Sequence, residues 1–295
     1  MNKYKKRFKN ISSYGYILPL GIILTSFYVI PILMSIYFSF TKYNIMSAPK
    51  FIGLDNYASL FKSKVFLESL KNTAIYTFGV VPVQTILAML MAIWLTKRKG
   101  KISNLIRGVM FIPVISSMVL ISIIWRLLLT GGDAPIAKLF SFLNLTMPDF
   151  LGSANLALPT LMGIAIWKNV GYFMVIYIAA IMDIPKSYYE AARVDGASKW
   201  EEFWNITVPM LKPTTIMVVF LGIIWSFQSF DIVYTLTGGG PGTATMTLVL
   251  HIYNLAFKQF NAGEAMAVAN ILFFIIAIIS IFQKKFLRKE ESTYY

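Results

Sequence analysis

Six apolar runs of about 20 residues recur along the chain, at about 14–40, 73–95, 108–129, 156–182, 214–236 and 264–282. As helices, runs of this length match the roughly 30 Å hydrocarbon thickness of a bilayer. Inside a bilayer the backbone must satisfy its own hydrogen bonds, so each run is expected to be helical. The expected fold is therefore all-α, a polytopic membrane protein with six transmembrane helices. Pro19 and Pro31 in the first run, Gly79 and Pro82 in the second and Pro113 in the third mark expected bends or breaks. The first run follows Lys3, Lys5, Lys6, Arg7 and Lys9. It is too long for the apolar core of a signal peptide and lacks a small-residue cleavage site, so it reads as an uncleaved span.

A net charge of +14 would suit a nucleic-acid partner, but the basic residues are gathered between the apolar runs, which points away from nucleic acid and toward membrane topology. The tail 1–13, the 96–107 loop, the 183–212 loop and the tail 284–295 hold five, five, four and four of the 27 basic residues, against seven in the three alternate loops. Excess Lys and Arg marks the cytoplasmic side. Both termini and the 183–213 segment are thus expected in the cytoplasm, although the 41–71 loop carries five lysines on the opposite side. The chain has no cysteine, which excludes disulfides and thiol-based metal sites. Its one histidine, His251, cannot form a histidine-pair metal site and is expected to be a hydrogen-bonded surface residue.

The polar stretch from Pro185 to Pro213 carries the strongest local signals. Pro185 suits the first turn of a helix. That helix would stop at Gly196, the residue type that tolerates a left-handed cap. Ser198 and Glu201 form a capping-box pattern for a second helix. Trp200, Phe203 and Trp204 give this second helix an apolar edge, and Pro209 and Pro213 are expected to break the chain before the next run. The segment thus reads as helix, glycine turn, helix. A plain interfacial connector would look similar.

Glu190, Ala191, Ala192, Asp195, Gly196, Ala197, Ile206 and Pro209, in that order and spacing, resemble the EAA loop of binding-protein-dependent ABC transporter permeases. The string Gly53-Leu54-Asp55-Asn56-Tyr57 is similar to that family's GLxNY signature. Leu236-Thr237 to Gly240-Pro241, with Thr245, Tyr253 and Phe257, looks like the pattern of its carbohydrate-permease branch. The resemblance implies the type I ABC importer permease fold, with Glu190, Ala191, Ala192, Asp195 and Gly196 in a coupling helix that docks on a cytoplasmic ATPase. It further implies a second related permease subunit, two ATPase subunits and an extracytoplasmic solute-binding protein as partners. This chain would carry no cofactor, ATP and magnesium belonging to the ATPases. In the family's mechanism, ATP-driven closure of the ATPases draws the coupling helices together and opens the cavity outward. The glycine run 238–242 lacks the lysine of a phosphate-binding loop, so it reads as a turn, with no enzyme activity in this chain.

Polar and aromatic residues inside the runs are the candidates for the substrate pathway, because each is costly in lipid unless it faces a cavity or a partner. Trp225, Gln228 and Asp231 fall at three-residue intervals, roughly one face of a helix in the fifth run. Trp167, Asn169 and Tyr172 lie in the fourth, beside Lys168. Aromatic planes and amide or carboxylate groups suit sugar rings. The same residues could instead pack helices, and Asp231 could pair with Lys168 or Arg126. Two functions follow from these features. One is the pore subunit of an ATP-driven sugar importer. The other, a stand-alone secondary transporter, would call for an ion-coupling site and internal repeats that the sequence does not display.

Overall fold

The computed structural model describes residues 16–98, 100–132 and 134–294, with side chains up to 283. The basic tail Lys3–Lys9 lies outside the described residues, as do the side chains of the basic residues beyond 283. Among the described residues four helices are long and apolar enough to cross a membrane, or six if each of two bent helix pairs is one span. The chain divides into two units, Met1–Lys62 with Ile252–Ile271 and Ser63–His251 with Leu272–Tyr295.

In the first unit, helix α1 (Tyr16–Ser39) presents its apolar window without burying any of it. Between Pro19 and Pro31 the helix widens into a π-turn, where the Ile30 N–H reaches back to Thr25 O. A short antiparallel ribbon follows, β1 (Thr41–Lys42) against β2 (Lys50–Phe51), with Thr41 opposite Phe51. Helix α2 (Asp55–Lys62) then shows why the Gly53–Tyr57 string has its composition. Gly53 holds a left-handed φ of 61°. Asn56 Nδ2 donates to the carbonyls of Ser39 and Thr41 at 2.8 and 2.9 Å, and the Tyr57 hydroxyl lies 2.9 Å from Ser39 Oγ. The string thus fastens α2 to the end of α1.

The second unit begins with helix α3 (Lys64–Thr96), which starts about nine residues before the apolar run because Ser63 Oγ accepts from the Phe66 N–H. Its Pro82 is accommodated within the helix. Helices α4 (Lys101–Ile115) and α5 (Met118–Leu129) follow, bent by 99°. The expected break at Pro113 is displaced: Pro113 sits inside α4, and the chain turns at Ser116 and Ser117, whose backbones are extended. Short helix α6 (Pro135–Phe142) precedes α7 (Ala157–Met182), which matches the fourth apolar run closely.

Helices α8 (Lys186–Val194) and α9 (Lys199–Met210) then form an elbow, and α10 (Lys212–Phe227) leaves α9 at 60°. The break lies at Leu211 rather than at either proline, since Pro209 and Pro213 are both taken up within helices. The fifth run is not one helix. Phe227 ends α10, and α11 (Asp231–Leu236) is a separate short helix. After the glycine turn come α12 (Leu248–Tyr253) and α13 (Ala262–Tyr294), which passes through the sixth run; their residues from Ile252 to Ile271 belong to the first unit, and the rest of α13 to the second. The core of this unit is where α3, α7 and α10 meet, around Ala88, Leu95, Phe173, Tyr177, Leu211 and Val218. Gly171 permits the closest approach of α7 to α4, since a Cβ there would stand 2.1 Å from the Met110 carbonyl oxygen.

Candidate functional site: an elbow and a polar seam

The elbow is built from local signals that all point to one geometry. Pro185, with φ −60° and ψ 131°, caps α8 from outside the helix instead of occupying its first turn. At the other end Gly196 takes φ 83°. The Gly196 N–H donates to Arg193 O at 3.1 Å and the Ala197 N–H to Ala192 O at 2.9 Å, the paired bonds of a Schellman cap. Ser198 then opens α9 with a full capping box. Its Oγ accepts from the Glu201 N–H at 3.3 Å, and its N–H donates to Glu201 Oε2 at 2.7 Å. The Ser198 N–H, and the Ser198 hydroxyl that donates to the same Oε2, hold the Glu201 carboxyl below its ordinary value. Arg193 Nε donates to Glu202 Oε1 at 2.7 Å, and this bond likewise lowers the Glu202 carboxyl and raises the guanidinium.

One side of the elbow is anchored. Tyr189, Ile206 and Met210 pack on the core shared by α3, α7 and α10, and the Tyr189 hydroxyl lies 3.0 Å from Thr207 Oγ1. The other side is bare. Glu190, Ala191, Asp195 and Gly196 are exposed and Ala192 is half-buried. Val194 is 87% exposed and Trp200 68% exposed. Trp200, Phe203 and Trp204 contact one another through ring centroids 4.9 to 5.9 Å apart, as the expected apolar edge.

The pathway candidates do not form one cluster. Tyr172 of α7 and Trp225 of α10 come together, with centroids 5.0 Å apart, and Phe173 lies 5.4 Å from the same indole. Asn169 turns instead to α3, where its Nδ2 donates to Gln84 Oε1 at 3.4 Å. Trp167 is elsewhere, edge-on to Trp125 at 5.8 Å, at a largely apolar cavity of about 460 Å³ that also touches Ile136 and Phe150.

Trp225, Gln228 and Asp231 do not share one helix face. Gln228 caps α10 with φ −94° and ψ 12°, and Asp231 opens α11, where a carboxylate complements the N-terminal dipole. Gln228 and Asp231 are both exposed. Among the described residues no ion pair joins Asp231 to Lys168 or Arg126. The two cations donate to backbone carbonyls instead, Lys168 to Val114 at 3.3 Å and Arg126 to Thr235 at 3.4 Å.

His251 is also placed differently from expectation. It is 5% exposed, with its ring 6.5 Å from Phe66 and its Nε2 without a partner among the described residues.

A polar stripe on α3 went unread in the sequence. Asn72 Nδ2 donates to Thr243 O and Met246 O, Thr73 Oγ1 accepts from the Leu248 N–H, and Tyr76 bonds the Ser229 side chain. Thr243 also bonds the Glu68 carboxylate. The signal was the recurrence of Ser69, Asn72, Thr73, Tyr76, Thr77 and Gln84 at helical spacing. The glycine turn is thereby a packed connector tied to α3: Gly238, Gly239 and Gly242 all hold left-handed φ, and a Cβ on Gly239 would stand 2.7 Å from Met246 Cε.

Residues 84–290 match the model of the family described as binding-protein-dependent transport system inner membrane component. The chain is 33% identical over 298 residues to the probable starch degradation products transport system permease protein AmyD of Thermoanaerobacterium thermosulfurigenes, covering 99% of each. It is 32% identical over 283 residues to the lactose transport system permease protein LacF of Rhizobium radiobacter, covering 94% of each. Its fold superposes with a TM-score of 0.85 and 22% identity on a chain from the crystal structure of a bacterial ABC transporter involved in the import of the acidic polysaccharide alginate, covering 98% of this chain and 99% of that one. A further matching structure, also at 0.85 and 22%, is of that transporter in complex with an alginate pentasaccharide-bound periplasmic protein. With the elbow, the bent spans and full-length relatives in agreement, the chain belongs to the family of binding-protein-dependent transport system inner membrane components, as a multi-pass pore subunit of an ABC importer.

Proposed function

We propose that this subunit carries a sugar, forms half of the pore beside a second related permease, and receives mechanical work through the 183–213 elbow from a cytoplasmic ATPase. The carbohydrate assignment is supported by relatives named for starch products and lactose that cover nearly the whole chain. Family membership sets aside the stand-alone transporter.

The observation that carries the coupling role is the two-sided elbow. Tyr189, Ile206 and Met210 seat it on the helices of the pore unit, while Glu190, Ala191 and Val194 face outward for a partner. Ala191 and Ala192 allow close approach, Glu190 offers a charge to a basic partner group, and the Gly196 turn makes the pair of helices protrude. The excess of Lys and Arg in the loops on that side supports a cytoplasmic elbow and cytoplasmic termini, where ATP is available. ATP and magnesium reside on the two ATPase subunits. Their closure draws the elbow, and with it α7 and α10, toward the outward-open state, into which the solute-binding protein releases sugar. Trp225, Tyr172, Asn169, Gln228, Asp231 and Trp167 are the groups proposed to meet the solute.

The test is thiol labelling of Val194→Cys, on the same bare face, in this otherwise cysteine-free chain. Membrane-impermeant maleimide should react in inside-out vesicles and be blocked by the assembled ATPase. Reaction from the outside of intact cells would overturn the orientation, and lack of protection by the ATPase would overturn the coupling role.

A further inference from the structure

Gln84 is fully buried where α3 meets α7 and α10, yet half of its amide has no partner. Its Oε1 accepts from Asn169 Nδ2 at the long distance of 3.4 Å, and among the described residues its Nε2 has no acceptor. Exchanging the oxygen and nitrogen of the amide does not help, because one end then still lacks a partner. The free end points at α10, where Gly222 leaves room for it: a Cβ on Gly222 would stand 2.6 Å from Nε2. An apolar side chain of the same length would fill that space without a stranded donor, so packing alone does not account for a glutamine.

Two further features set this amide beside the pathway. Asn169 and Gly222, its neighbours, lie on the same two helices as Tyr172 and Trp225, each three residues away from one of that aromatic pair. Pro82, two residues before Gln84, has no N–H for the Phe78 carbonyl, which weakens α3 at the point where Gln84 must move to become accessible.

We propose that Gln84 is a solute-binding residue held in reserve. It is sealed against Gly222 in the conformation described here. It opens when α3 separates from α10, and there its Nε2 donates to a hydroxyl oxygen of a polyhydroxylated solute, with Asn169 beside it. The inference rests on the pathway reading of Tyr172 and Trp225, and adds a residue from a third helix.

The chain's lack of cysteine supplies the test. Gln84→Cys is assembled with its partner permease, cysteine-free ATPases and binding protein in proteoliposomes, and treated with a small positively charged methanethiosulfonate. The expected result is slow modification at rest and at least about tenfold faster modification while the ATPases turn over, and, before any reagent is added, a KM for uptake raised severalfold over wild type with the ATPase rate retained. Equal rates in both states, or no reaction in either, would overturn the inference. If Gln84→Cys does not assemble, Val81→Cys, one turn away and also against Gly222, reports the same opening with the same two outcomes. Trp225→Cys separates the two claims. Modification there that blocks uptake, with Gln84→Cys inert, sinks only the Gln84 role. Modification of Trp225→Cys without effect on uptake sinks the pathway on which it rests.

Discussion

Arg193 Nε and Glu202 Oε1, 2.7 Å apart, tie the last turn of α8 to the start of α9 across the glycine turn. Glu202 is the more enclosed partner, its side chain 11% exposed against 65% for Arg193. Glu202→Ala is expected to reduce sugar uptake at unchanged membrane insertion, because the outward face then loses its fixed angle to the anchored face. The exchange Arg193→Glu with Glu202→Arg should recover part of the loss. Uptake into vesicles at matched protein level measures this. Equal uptake in wild type and Glu202→Ala would remove the ion pair from the coupling argument.

Gly196 offers a sharper lesion at the same place. At φ 83° a side chain costs about 1–2 kcal/mol. No heavy atom lies within 4 Å of a Cβ built there, so the cost is conformational and not a clash. Gly196→Val is expected to abolish uptake while the subunit still inserts, since β-branching adds to the strain. Gly196→Asn should retain much of it, asparagine being tolerant of the left-handed region. Glu190→Ala, which changes the bare face only, should abolish uptake without lowering the melting temperature of the purified subunit. Unchanged uptake in both Gly196→Val and Glu190→Ala would argue against coupling through this segment.

The elbow was legible because its signals are local: a proline before a helix, a glycine after it, a serine three residues ahead of a glutamate. The apolar runs also gave the helices, but not their breaks. Hydropathy is blind to the turn at Ser116–Ser117 and to the gap between Phe227 and Asp231, since the residues on both sides remain apolar. Pro113 drew attention to the wrong place. A proline inside a helix costs one hydrogen bond, which neighbouring helices can outweigh. Gln84 and the α3 stripe were hidden for a related reason. Their meaning depends on which helices surround them, and a sequence lists no neighbours across space.

Trp225 is 40% exposed and lies against Tyr172, so it has both a packing role and a free face. Trp225→Phe is expected to keep most transport. Trp225→Leu should lose the aromatic pair, worth about 0.5–1.5 kcal/mol, and reduce sugar uptake beyond any loss of yield. Asp231→Asn is expected to alter the affinity or selectivity of uptake, because the carboxylate is exposed and among the described residues has no ion-pair partner. If only folding yield responds in either variant, that residue is structural.

Gly171 tests the packing beneath the seam. A methyl there would sit 2.1 Å from Met110 O and 3.0 Å from Val114 Cγ2, and a backbone carbonyl cannot turn aside as a side chain can. Gly171→Ala is expected to push α4 from α7 at a cost of about 1–3 kcal/mol, seen as a lower melting temperature in detergent. Gly163→Ala, on the same helix but with no atom within 4 Å of the new methyl, should leave the melting temperature unchanged or raise it, since alanine favours the helix. Equal melting temperatures for the two variants would mean that the close approach of α4 and α7 does not limit stability.

His251 makes the stability of the second unit depend on pH. Burial lowers its pKa from the usual 6.5, and Nε2 has no partner that would favour the charged form. The neutral ring is therefore the folded-state species. As pH falls below about 6.5, the unfolded chain takes up a proton that the folded chain still refuses, so stability declines. The decline continues until pH passes the lower, folded-state value, where both states are protonated and the slope vanishes. Above pH 7 neither state binds the proton and this contribution is fully present. Melting temperatures between pH 8 and 5 should thus fall in the wild type below neutrality and fall less in His251→Gln, whose amide does not titrate. An identical slope in that variant would assign the acid sensitivity to other groups.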